Sequence, residues 1–122
     1  METALQLYKN FIDDLVKQRN DVVAKRVREK MLWPNTAADD LTRQNKIIKS
    51  LSDKDREIIA DMLQQAREGG IHDTLVYLSE QINLNGLRIA INGVELPVEP
   101  FSEMFYDWTA RCQGNNWPDE NS

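Results

Sequence analysis

Cysteine and histidine are nearly missing from this chain. A single cysteine, Cys112, in 122 residues rules out an internal disulfide framework and a cysteine-rich zinc site. A single histidine, His72, rules out a histidine-cluster metal centre and leaves little for acid–base catalysis. Long apolar runs are missing too. None approaches the ~18–20 residues that span a bilayer, and the N-terminal METALQLYKNF holds no signal-peptide hydrophobic segment. A cytoplasmic location is therefore expected. The five glycines form no phosphate-cradling loop, and there is no Gly-x-Ser-x-Gly nucleophile elbow. Neither a fixed-period repeat nor a low-complexity tract is present.

What is there has the balance of a folded protein, 41% hydrophobic and 29% charged. The length suits one domain, 1–122, with a polar tail over about 115–122. The net charge of −5 conceals a gradient. Residues 1–30 carry seven bases and five acids, whereas residues 91–122 carry one base and six acids. The acidic end also holds Phe101, Phe105, Tyr106, Trp108 and Trp117. Such an end repels phosphate backbones, so neither nucleic acid nor membrane is an expected partner.

Long stretches free of Gly and Pro read as helices. Leu5, Tyr8, Ile12, Leu15 and Val16 recur at helical spacing. Either that helix continues to Trp33-Pro34, or Asn20-Asp21 caps a second one. A further helix is predicted from about Thr36 to Ser50, with Ala37, Leu41, Ile48 and Leu51 on one face. Ser52 then caps a helix that buries Ile58, Ile59, Met62, Leu63 and Ala66 and stops at Gly69-Gly70. Another runs from about His72 to Ile82. The period then changes. Leu87–Ile91 and Val94–Leu96 flank Asn92-Gly93, the type I′ turn signal of a β-hairpin over 87–96. A lone hairpin is marginal in water, so it must lie on the helices or pair with another chain. A last helix from Phe101 to Cys112 ends at Gly114. The fold class is mainly α, at the margin α+β: a single-domain bundle of five to six helices with one hairpin.

Each candidate site has a plain structural alternative. His72-Asp73 has no second His to build a phosphohydrolase-like metal site, so it reads as a helix start. Glu57/Asp61 and Glu103/Asp107 are i,i+4 acid pairs, yet helical geometry turns them away from the apolar positions and toward solvent. Cys112 falls on an apolar face at a helix C-terminus and reads as an inert thiol. The run Lys17, Arg19, Lys25, Arg26, Arg28 and Lys30 is interspersed with acids and lacks alternating aromatics, which makes it a solvated face or one that meets the acidic end. Tyr106 and Trp117 lie outside the apolar stripe of the last helix. With Glu103 and Asp107 beside them, they form a candidate partner-binding surface, since exposed aromatics anchor interfaces.

The run LSDKDREIIADML from Leu51, GGIHDTL from Gly69, NGVELP from Asn92, and Tyr106-Asp-Trp with Gly114-Asn-Asn-Trp-Pro resemble small acidic bacterial proteins known as domains of unknown function. The resemblance spans residues 50–119. It implies a bacterial cytosolic origin and brings no activity or site with it. The expected function is a non-catalytic interaction or regulatory module that needs no cofactor and binds a protein partner through the acidic aromatic region. The alternative is a divalent-metal enzyme using clustered carboxylates. Self-association as a homodimer is also expected, because Val23, Val27, Met31 and the hairpin edges leave surface uncovered.

Overall fold

Local chemistry sets the helix starts in the computed structural model, which describes residues 2–29 and 38–120. The Thr3 hydroxyl accepts from Gln6 N at 3.1 Å and opens helix α1 (Ala4–Lys17). The Asp21 carboxylate accepts from Val23 N at 2.8 Å and opens α2 (Val22–Arg28). Of the two readings of this segment, a second capped helix is the one observed. Helix α3 spans Ala38–Ser50. Ser52 Oγ accepts from Asp55 N at 3.1 Å and opens α4 (Asp53–Asn85). The expected helix end at Trp33-Pro34 and start at Thr36, with Ala37, lie outside the described residues.

Helix α4 corrects the expectation of a stop at Gly69-Gly70. Both glycines keep negative φ, and the helix continues through them. His72 is therefore mid-helix rather than at a helix start. The predicted bundle is not matched helix for helix, because its fourth and fifth helices are one. Burial beyond the glycines explains this: Leu75, Leu78 and Ile82 still have a core to meet, and that gain outweighs the ~1 kcal/mol cost of each helical glycine.

The chain forms two compact units, Met1–Arg19 with Gly69–Ser122, and Asn20–Glu68. In the second unit Ala24, Val27, Ile48 and Ala60 make a small core with Leu63 against it. Here the expected inward set of α4 is corrected, since Ile58, Ile59, Met62 and Ala66 are exposed. The buried position is Arg56, whose guanidinium donates to the carbonyls of Ile48 at 3.3 Å and Leu51 and to Asp53. Satisfying the end of α3 in this way turns α4 so that Arg56, Ala60 and Leu63 face inward.

The first unit is built around Tyr8, Ile12, Leu75, Leu96, Met104, Trp108 and Trp117. Strands β1 (Ala90–Ile91) and β2 (Val94–Glu95) pair antiparallel, Ala90 with Glu95 and Ile91 with Val94. Leu96 is buried and Ile89 and Ile91 pack on the same core, so the hairpin lies on the helices. Its turn has φ of 51° at Asn92 and 78° at Gly93, the double positive φ of a type I′ turn. No atom lies within 4 Å of a Cβ built at Gly93. Gly93→Ala should thus cost only backbone strain, about 1–2 kcal/mol, read as an earlier denaturant midpoint. Helix α5 (Met104–Cys112) follows. It starts three residues later than expected and leaves Phe101 outside the helix.

Candidate functional site

The four residues proposed from sequence as a partner surface occupy different environments. Tyr106 is 61% exposed and Glu103 is half-buried at the N-cap of α5. Asp107 and Trp117 are buried, at 5% and 3% exposure. The expectation that Asp107 points to solvent is corrected, as is the expectation that Trp117 stands free in a polar tail. With Phe101 off the helix, the inward face of α5 is centred on Met104, Asp107 and Trp108.

Asp107 is held there by a partner from the far end of the sequence. Tyr8 Oη donates to Asp107 Oδ2 at 2.6 Å. Burial still raises the carboxyl above its ordinary 3.8, although the bonds from Tyr8 and from the Ser102 backbone oppose the shift. Burial, and then the bond and charge of Asp107, push the Tyr8 phenol far above its ordinary range. A phenol raised in this way is the opposite of an acid or base tuned toward neutral pH. The bond between them latches α1 to α5.

Trp117 closes the same region from the C-terminal side. Gly114, at φ 82°, reverses the chain after α5. The indole then sits 6.1 Å from the Tyr8 ring and 5.6 Å from Phe101, centroid to centroid. The Arg111 guanidinium lies 5.0 Å from its ring centroid and the Lys9 ammonium 5.9 Å. Arg111 also grips Asp13 through Nε at 2.8 Å and Nη2 at 3.1 Å. Lys9 bonds Asp119 at 2.9 Å and Glu120 at 3.3 Å. The hydrogen bond to Asp119 is the main cause holding the Lys9 ammonium above its ordinary pKa. Much of the acidity of the C-terminal third is consumed inside this unit.

The other sequence candidates fall into place around it. Glu57 and Asp61 do face solvent, where Arg28 bridges them at 3.0 and 2.8 Å. Cys112 is half-buried. Among the described residues, no three His, Cys, Asp or Glu side chains are grouped to hold a metal ion, and no helix is long and apolar enough to cross a membrane. A cavity lined by Tyr8, Ser79, Ile82, Leu96, Val98 and Met104 has about 20 Å³. That is the room of one water, well short of the ~300 Å³ at which small-molecule sites begin. Ser79 Oγ, 4% exposed, reaches this cavity without a hydrogen-bond partner.

One exposed aromatic cluster remains. The Tyr106 ring lies 4.8 Å from that of Phe105, with 32° between their planes. Phe105 in turn meets the edge of the His72 imidazole at 5.5 Å and 76°. His72 Nδ1 lies 3.3 Å from the exposed carboxylate of Asp73. Sequence reasoning had Tyr106 and Glu103, and read His72 as a helix start rather than as a neighbour of Phe105 on α5. A family model described as a family of unknown function (DUF6547) matches residues 1–119. No curated protein and no solved structure matches the chain.

Proposed function

The chain belongs to the DUF6547 family, and from its own residues we propose a non-catalytic interaction or regulatory module whose contact surface is centred on Tyr106. The observation that carries this reading is a large aromatic ring, 61% exposed, stacked on a half-buried Phe105. A rigid aromatic anchor backed by packed neighbours is the residue type that dominates interface energies. Glu103 and Asp73 give the surface an acidic rim, which favours a protein partner with basic side chains. Asp107 and Trp117 serve it from behind by fixing α5. The lone cysteine fits a cytoplasmic setting.

Tyr106→Ala is the test. It should leave the unfolding midpoint within about 0.5 kcal/mol of the parent, as surface changes do. It should weaken capture of the native partner at least tenfold. Equal capture by parent and variant would remove Tyr106 from the contact surface. A change in solution mass on the same substitution would identify the partner as a second copy of this chain.

A further inference from the structure

A hydroxyl inside a helix has a partner within reach, the carbonyl four residues back, and the first unit uses it twice. Thr74 Oγ1 donates to the Gly70 carbonyl at 2.8 Å, and Thr109 Oγ1 to the Phe105 carbonyl at 2.7 Å. Ser79, further along α4, makes no such bond. Its side chain is buried, at 4% exposure, and its Oγ has no hydrogen-bond partner among the described residues. Nearly all buried polar groups have one, because a hydroxyl taken out of water and left dry is costly. The cavity that Ser79 lines has the size to supply it. Its volume of about 20 Å³ exceeds the ~10–15 Å³ that a water needs. Ile82, Leu96 and Met104 give it apolar walls. A buried water also needs a second polar partner. Tyr8 lines the same cavity, and its phenol oxygen, which donates to Asp107, keeps lone pairs with which to accept. Glu99 lines it too, and its charge adds to the upward push on the Tyr8 phenol. Its carboxylate accepts from Asn83 Nδ2 at 2.8 Å, and its backbone is held at φ 48°, in the left-handed region that strains a residue with a Cβ. Such strain persists only where surrounding contacts fix the residue.

We propose that this cavity is a binding site for a single structural water, which joins Ser79 Oγ of α4 to Tyr8 Oη of α1. The water donates one hydrogen to the phenol oxygen and shares a hydrogen bond with the serine hydroxyl. It thereby extends the α1–α5 latch to α4, so that three helices are tied to one phenol oxygen.

Oxygen-17 magnetic relaxation dispersion on the full chain tests this, since it reads long-lived buried waters and is blind to exchanging hydroxyl protons. The amplitude of the parent should exceed that of a Ser79→Val variant by the contribution of one such water, because valine removes the partner and fills the space. Ser79→Ala separates a wet hydroxyl from a dry one. Deleting a dry, orphaned hydroxyl would raise the urea midpoint, and the better helix propensity of alanine would add to the rise. Deleting the partner of a bound water should leave the midpoint the same or lower. A high-resolution crystal structure of the parent reads the same point without any variant: density in the cavity should lie about 2.5–3.0 Å from both Ser79 Oγ and Tyr8 Oη. The proposal fails if parent and Ser79→Val give equal amplitudes, if Ser79→Ala raises the midpoint, or if such a crystal structure shows no density between the two oxygens.

Discussion

Trp117→Ala should destabilise the protein by about 3–5 kcal/mol, the range for truncating a buried aromatic to alanine. The indole is 3% exposed and lies against four groups: Tyr8, Phe101, Lys9 and Arg111. Its loss opens a cavity at the centre of that group. It also frees the turn that presents Asp119 and Glu120 to Lys9. Denaturant unfolding followed by far-UV circular dichroism reads the loss without relying on the deleted fluorophore. A cost under 1 kcal/mol would mean that the tail only rests on the surface. Trp108, also buried in the same core, should give a loss of the same size. Tyr106→Ala should give almost none, because its ring is 61% exposed.

Tyr8→Phe should cost roughly 3 kcal/mol at neutral pH, because it removes the hydroxyl and leaves the buried Asp107 carboxyl without its side-chain donor. The pH dependence follows from the two shifts. The folded Asp107 carboxyl titrates above its ordinary 3.8. Its contribution to stability is therefore fully present below that value and is lost as pH rises through the folded pKa. The Tyr8 bond lowers this pKa, so deleting it moves the loss upward in pH and deepens it. The penalty of Tyr8→Phe should accordingly be smaller near pH 4 than at pH 7. At the alkaline end the sign reverses. The folded phenol titrates far above its ordinary 10.0, so the parent loses stability as pH climbs past that value and the unfolded phenol ionises. The phenylalanine variant has no such loss, and the gap between the two should narrow. Asp107→Asn keeps an acceptor oxygen and removes the buried charge, so it should be milder than Tyr8→Phe at pH 7. Urea midpoints at pH 4, 7 and 10.5 check all three. A penalty constant across pH would show that Asp107 does not titrate in response to Tyr8.

Features decided by one side chain and its backbone neighbours were legible in the sequence. The caps at Asp21 and Ser52 and the Asn92-Gly93 turn are of this kind. Gly69-Gly70 was misread because a helix-end signal is also local, whereas the reason to continue is not. Leu75, Leu78 and Ile82 supply it by burial against residues from the two ends of the chain. Asp107 was misread because the apolar spacing of α5 does not show that its deepest face is Met104, Asp107 and Trp108. Its real partner, Tyr8, is 99 positions away. Trp117 left one signal, a lone aromatic after the Gly114 turn. Nothing in the polar residues around it announces that Lys9 and Arg111 will cover its ring.

The split of the first unit between the two ends of the sequence has a consequence for synthesis. Every residue of the Asn20–Glu68 unit is on the nascent chain before Gly69 is added. The core around Tyr8 and Ile12 cannot be completed until Trp117 arrives, roughly 50 residues later. At ~5–20 residues per second that interval lasts about 2.5–10 s. During it, the apolar face of α1 has neither its indole nor its α5 partners. A ribosome stalled within α5 would hold such a chain, with Tyr8, Ile12 and Phe11 open to chaperones, whereas a chain released from the ribosome with Trp117 in place would present the finished core.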